Sequence, residues 1–219
     1  LSNTTRTLLI TGASSDMGSA LIRQLSDFSG VKVRAMVHRS LVNVPGCEVM
    51  SGDLNNSGLM ARALAGVDTV VHLAALTRSK EVSDYFHTNV TGTKNLIDVC
   101  VEQGVKRILY ISSRTASLDG GGYASSKLMA EEHVKKSGLQ WVILRPSEVY
   151  GQGAGDSINR LIRWIQRYPC IPVIGEGKSR LSPVHIDDVV SAMLLSVFDE
   201  KLGNETIVLA GPEELTYDE

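Results

Sequence analysis

The chain has 219 residues, 43% of them hydrophobic and 21% charged, with a formal net charge of −2. That length and composition suit one sizeable globular core with a small appended lobe. The near-neutral balance gives neither nucleic acid nor a membrane surface a claim as partner. No apolar run approaches the roughly 18 residues of a membrane helix and no signal-peptide pattern opens the chain, so a cytoplasmic protein is expected.

In chain order, short β-branched runs alternate with longer helical patterns. Thr7-Leu8-Leu9-Ile10-Thr11 reads as a strand buried on both faces, followed by helical spacing of Met17, Ala20, Leu21, Leu25 and Phe28 closed by Gly30. Val31 to Val37 is a second strand and Cys47 to Met50 a short third one. Leu59 to Ala65 is a helix stopped by Gly66, and Thr69 to Leu73 a fourth strand. A long helical stretch from Val82 to Gln103 precedes a fifth strand, Arg107 to Ile111. A helix from Ser125 to Lys136 then leads to a sixth strand, Trp141 to Leu144. This rhythm predicts right-handed βαβ crossovers and an α/β, doubly wound parallel sheet of Rossmann type.

From Tyr150 the rhythm loosens. Gly151, Gly153, Gly155, Pro169, Pro172, Gly175 and Gly177 punctuate a helix (Ser157 to Arg167) and an apolar run (Ile171 to Ile174). A helix from Ile186 to Phe198 and a strand from Thr206 to Leu209 follow. The organisation expected is a dinucleotide-binding domain over 1–150, a substrate-lobe insertion over 151–184 and a returning helix and strand over 185–210. Residues 211–219 start a truncated C-terminal segment, in which Thr216 and Glu219 stand in capping-box relation. Cys47, Cys100 and Cys170 are odd in number and widely spaced, and read as reduced thiols. The five histidines form no HxxxH or HxH pair, so no metal site is expected.

The octet Thr11-Gly12-Ala13-Ser14-Ser15-Asp16-Met17-Gly18 lies between the first strand and the first helix. There a glycine turn lets backbone amides and a helix N-terminus meet a pyrophosphate. The plainer reading is an ordinary turn capped by Ser14, Ser15 or Asp16. The octet resembles the TGxxxGxG and TGxxGxxG fingerprints of short-chain dehydrogenases/reductases at Gly12 and Gly18. The middle glycine falls on Asp16 or Ser15, and a carboxylate there would repel a pyrophosphate.

Further matches point to the extended branch, the NAD-dependent epimerase/dehydratase family. They are Gly52-Asp53-Leu54, Val71-His72-Leu73-Ala74-Ala75, Asn89 to Leu96, Leu144-Arg145-Pro146-Ser147-Glu148-Val149-Tyr150-Gly151 and Val184 to Val189. The resemblance implies a dinucleotide held by Gly12, Ser14, Ser15, Asp16, Met17, Gly18 and Arg39. It adds Asp53, Leu54, Leu73, Ala74, Ala75, Ile111 and Ser112, then Tyr123, Lys127, Pro146, Ser147 and Val149. An NAD enzyme places an acid about 20 residues after the first glycine to accept from the ribose hydroxyls. Here the second strand ends Met36-Val37-His38-Arg39-Ser40, and a guanidinium suits a 2′-phosphate, so NADP is preferred over NAD. The alternative is that Arg39 is a solvated loop residue.

Tyr123 and Lys127 lie one helical turn apart, in the interval where the resemblance places the catalytic pair. A lysine ammonium about 5 Å away favours phenolate by roughly 3 kcal/mol. Tyr123 would then exchange a proton with a substrate hydroxyl while hydride moves. Ser113, with Thr115 second, is the expected partner for the same oxygen, because Arg114 occupies the family's usual serine position and Gly120-Gly121-Gly122 shortens the approach to Tyr123. Arg180 is a candidate for substrate phosphate, while Arg160, Arg163 and Arg167 read as a solvated basic face.

Three functions fit. The first is an epimerase, dehydratase or reductase acting on a sugar nucleotide or related small molecule, and the resemblance is compatible with a homodimer. The second is an NADPH-dependent small-carbonyl reductase. The third is a non-catalytic NAD(P)-binding scaffold or sensor.

Overall fold

The computed structural model describes residues 5–38, 46–151, 157–168 and 180–216. Among them, seven parallel strands form one sheet: β1 (Arg6–Thr11), β2 (Val31–Val37), β3 (Glu48–Ser51), β4 (Thr69–His72), β5 (Arg107–Ile111), β6 (Gln140–Pro146) and a last strand, Glu205–Leu209. The spatial order is β3-β2-β1-β4-β5-β6 and then that last strand. The order reverses between β1 and β4, so the chain leaves their C-terminal ends in opposite directions and opens a crevice there.

Alternation of side chains along each buried strand divides the core in two. Leu8 and Ile10 of β1, Leu109 and Ile111 of β5, and Val142 and Leu144 of β6 join one cluster with Leu21, Leu25, Val190 and Met193. The intervening Leu9, Ile108, Tyr110 and Ile143 face the other cluster, with Met60, Leu96, Ala130 and Val134. The first face is covered by α1 (Asp16–Leu25) and a late helix, Ile186–Phe198. The second is covered by α2 (Ser57–Leu64), α4 (Gly92–Glu102) and α5 (Gly121–Lys135). This explains why the strands read as continuous apolar runs rather than as alternating ones.

Three elements differ from expectation. The stretch after Val82 is not one regular helix: α3 (Val82–Tyr85) passes into a π-helical turn at Phe86–Thr91 before α4. Helix α5 begins at Gly121, four residues before the Ser125 expected. Gly122 lets its first turn approach α3 closely, since a Cβ there would stand 3.0 Å from Val82 Cγ1 and 3.1 Å from Tyr85 Cδ2. Two-residue strands β7 (Val149–Tyr150) and β8 (Val184–His185) pair beside the main sheet, too short to carry a periodic signal. Helix α6 (Ser157–Arg167), helix α7 (Ile186–Phe198) and β9 (Glu205–Leu209) follow the sequence reading closely. The apolar run at Ile171–Ile174, Cys170 and Glu219 lie outside the described residues.

Candidate active site

Strand β1 delivers the chain into the turn at Gly12, whose φ is +67°. A Cβ there would lie 2.7 Å from the Ala74 amide nitrogen and 2.8 Å from the Leu73 carbonyl carbon, so only glycine lets this turn abut the end of β4. Gly18 is equally constrained, with Gly12 O 2.7 Å from its notional Cβ. Between them, Ser15 has extended backbone and caps α1, its Oγ accepting from Gly18 N at 3.1 Å. Such a cap is worth about 1 kcal/mol. Of the two residues on which the middle glycine falls, Ser15 is thus a helix cap and Asp16 the first residue of α1, and neither has a conformation that demands glycine.

Around this turn lies a cleft of about 690 Å³, within the usual range for ligand pockets. Of the expected cofactor residues, Gly12, Ser14 and Ser15 form one wall, Asp53 and Leu54 another, and Leu73, Ala74 and Ala75 a third. The end of β2 adds Met36, Val37 and His38, and the π-helical turn adds His87 and Thr88. His38 Nε2 stands 3.6 Å from Asp53 Oδ2. Arg39 lies outside the described residues.

Asp16 and Met17 do not line the main cleft. With Ser15, which borders both, and the expected cofactor residue Val149, they line an adjoining cavity of about 190 Å³ that also meets Tyr150, Gly151 and Ile186. Asp16 opens α1 as an exposed acid in its first turn, where a negative charge suits the helix dipole.

Beneath the cleft, His72 is fully buried between Thr11 Oγ1, 2.6 Å from its Nδ1, and Thr93 Oγ1, 2.9 Å from its Nε2. Thr11 Oγ1 also accepts from the Ala74 amide at 3.2 Å, so this chain of bonds ties the phosphate turn to the β4 wall. Burial first, and the Lys127 charge second, push the His72 pKa down to about 3.

On α5, Tyr123 and Lys127 occupy consecutive turns of one face, as expected. Burial raises the Tyr123 pKa, and the nearby Ser113 hydroxyl opposes it. The tyrosine ring meets Tyr85 edge-on at 6.2 Å. Ser113 Oγ lies 2.9 Å from Thr115 Oγ1 and accepts from Thr115 N at 3.2 Å, so both candidate hydroxyls share one turn beside the phenol.

Lys127, expected to act on the Tyr123 phenol, is held by groups of β5. Its ammonium donates to Ile111 O at 2.7 Å and lies 4.1 Å over the Tyr110 ring. Burial brings its own pKa down to about 7, with Glu131 opposing, so its charge is only partly present at neutral pH.

Other expected side chains are engaged elsewhere. Ser112 is buried and donates to Glu131 Oε1 at 2.5 Å. Pro146 is buried at the end of β6, while Ser147 donates to the Ser182 carbonyl. Ile111 contributes its carbonyl to Lys127. Arg114 donates to Ser182 Oγ and Arg180 O, 3.6 Å from Glu148. Arg180 itself pairs with Glu214 at 2.9 Å in an exposed ion pair.

Asn89, the first residue of the Asn89 to Leu96 motif, has a role that the motif does not reveal. Its Oδ1 accepts from Leu76 N, and its Nδ2 donates to Leu76 O and Ser126 Oγ, pinning the β4 wall to α5. Among the described residues no group of three or more His, Cys, Asp or Glu could hold a metal, and no helix is long and apolar enough to cross a membrane.

The NAD dependent epimerase/dehydratase family model matches residues 8–210. The structure of MoeE5 in complex with UDP-glucuronic acid and NAD is similar, with a TM-score of 0.84 and 29% identity over 97% of this chain and 79% of that one. A ceramide reductase of Caulobacter vibrioides is 26% identical over 84% of this chain and 59% of its own length. A UDP-glucose 4-epimerase of Vibrio cholerae is 25% identical over 96% and 72%. The chain spans 52% and 59% of the lengths of the first two curated relatives it matches.

Proposed function

Because the chain belongs to the NAD-dependent epimerase/dehydratase family, we propose that it binds a nicotinamide dinucleotide in the main cleft and catalyses redox chemistry. The reaction would be at a hydroxyl- or carbonyl-bearing carbon of a sugar nucleotide or related compound. The cradle fits the diphosphate: the obligatory glycine at position 12 exposes backbone to the cleft beside the capped N-terminus of α1. Asp53 and His38 stand at the end that would take the adenosine, and Leu73 to Ala75 form the opposite wall. When bound, the dinucleotide supplies the hydride donor or acceptor.

The observation that carries the catalytic reading is the convergence of Tyr123, Ser113 and Thr115 at the open end of β5, beside Lys127. Tyr123 exchanges the proton with the substrate oxygen, and the Ser113 and Thr115 hydroxyls hydrogen-bond that oxygen and orient it. Lys127, fixed on the Ile111 carbonyl, faces the same end of the sheet with an ammonium.

NADP is the preferred dinucleotide on the strength of Arg39, one residue beyond the cleft-lining His38. A second reading, NADPH-dependent reduction of a small carbonyl, is favoured by Arg114. Its guanidinium is engaged by Ser182 and stands near Glu148 rather than being left open for a substrate diphosphate.

Sugar nucleotides and small carbonyl compounds, assayed with each dinucleotide, separate the two. On any substrate found, Tyr123→Phe should lower turnover at least about a hundredfold with dinucleotide affinity kept. Near-parent turnover in that variant would refute the mechanism, and tight binding without any turnover would indicate a scaffold or sensor.

A further inference from the structure

Helix α5 presents a third polar residue on the face of Tyr123 and Lys127: Glu131, one more turn along. Its residue surface is completely buried. A carboxylate so placed costs several kcal/mol unless it is paired and hydrogen-bonded. Here the Arg145 guanidinium grips it with two bonds, Nε at 2.8 Å and Nη2 at 2.6 Å, and the Ser112 hydroxyl adds a third at 2.5 Å. Lys135 stands at 3.7 Å on the helix's next turn.

These partners come from the elements that carry the rest of the site. Ser112 immediately precedes Ser113 at the end of β5, and Arg145 immediately precedes Pro146 at the end of β6. Resting on the reading above, we propose that Glu131 is a positioning residue: it locks the Ser113 turn and the end of β6 onto α5 and supplies the negative charge that favours the Lys127 ammonium.

Stability alone does not account for the arrangement, because buried ion pairs replaced by well-packed apolar groups are often neutral or better. Apolar groups in place of Glu131 and Arg145 could not hold the Ser112 hydroxyl or place an anion one turn beyond Lys127. The groups facing Lys127 are Tyr110 and the Ile111 carbonyl from β5, His72 from β4, and Glu131 from its own helix. Of these, Glu131 is the carboxyl group, gripped by the Arg145 guanidinium, while His72 is kept neutral and the Tyr110 phenol is raised by burial.

Two variants test the proposal: Glu131→Gln, and an apolar replacement of the whole cluster (Glu131→Leu with Arg145→Met and Ser112→Ala), which removes the buried charges together. Circular dichroism checks folding. Nuclear magnetic resonance of lysine labelled at Cε follows the Lys127 titration in the chain without added ligand. The titration midpoint should fall by about one pH unit in Glu131→Gln, and by less in the apolar variant, which removes the Arg145 cation with the anion. With a substrate in hand, kcat should fall at least about tenfold while KM changes much less, because misplacing a catalytic hydroxyl acts on the reacting geometry. A Lys127 midpoint at the parent value in both folded variants would overturn the proposal. If the parent turns over nothing, the reaction reading fails, and the lysine titration still decides the role of Glu131.

Discussion

Replacing His72 by glutamine should remove a specific acid sensitivity from this fold. The imidazole is enclosed between Thr11 and Thr93 with no exposed surface, and burial brings its pKa from 6.5 to about 3. Between those two values the unfolded chain binds a proton that the folded chain excludes. Stability therefore falls as pH falls through the window and is fully present only above it. At 1.36 kcal/mol per pH unit, this one residue removes about 2 kcal/mol by pH 5 and of the order of 4–5 kcal/mol below about pH 3. Glutamine retains an amide that can reach Thr93 but does not titrate, so His72→Gln lowers stability by an amount independent of pH. Urea unfolding of both proteins at several pH values between 7.5 and 4 isolates the difference, because carboxylates common to both cancel. The gap should close on acidification by about 2 kcal/mol by pH 5. A gap that stays constant over this range would refute the claim that His72 is held neutral by its surroundings.

Gly12→Ala should destabilise the chain by more than about 1–2 kcal/mol, because it adds a left-handed conformation to a collision with fixed backbone, and should weaken dinucleotide binding at least about tenfold. Gly30→Ala is the control: its φ is +81° but nothing lies within 4 Å of the added carbon, so calorimetry should find dinucleotide affinity unchanged. Equal effects of the two on binding would show that the contact with Ala74 is irrelevant. Arg39→Asp should lower NADPH affinity and raise that for NADH, and calorimetric titration of both dinucleotides giving equal, unchanged affinities would remove the case for NADP.

The fold was legible where burial on both faces left an unbroken apolar run, as in Leu8-Leu9-Ile10 and Ile108-Leu109-Tyr110, and where glycine ended a helix, as at Gly66 and Gly104. It was less legible where packing overrides local preference. Gly120-Gly121-Gly122 has the composition of a loop, yet Gly121 opens α5 because the small residues admit Val82 and Tyr85 against its first turn. The π-helical turn at Phe86–Thr91 leaves no mark in a pattern of apolar spacing, although it brings His87 and Thr88 to the cleft. Two-residue strands such as Val149–Tyr150 fall below any period.

The site divides along a similar line. Residues whose place at the cleft is set by the backbone path, such as Gly12, Leu73 and Ala74, could be placed from motifs because the turn geometry follows from that path. Roles carried by side-chain partners could not. Nothing in the order of residues says that Ser112 turns inward to Glu131 while Ser113, its neighbour, turns to Tyr123, since adjacent residues at a strand end point to opposite sides and either could have faced the cleft. The same holds for the lysine. Its spacing from Tyr123 suggested a charge acting on the phenol, but burial between Tyr110 and the Ile111 carbonyl brings its own ionisation to neutral pH. Spacing fixes which residues meet, while solvent access fixes which of them are charged when they do. The charge state at this end of the sheet thus depends first on burial and then on groups outside the motif, such as Glu131, that a pattern of five residues does not contain.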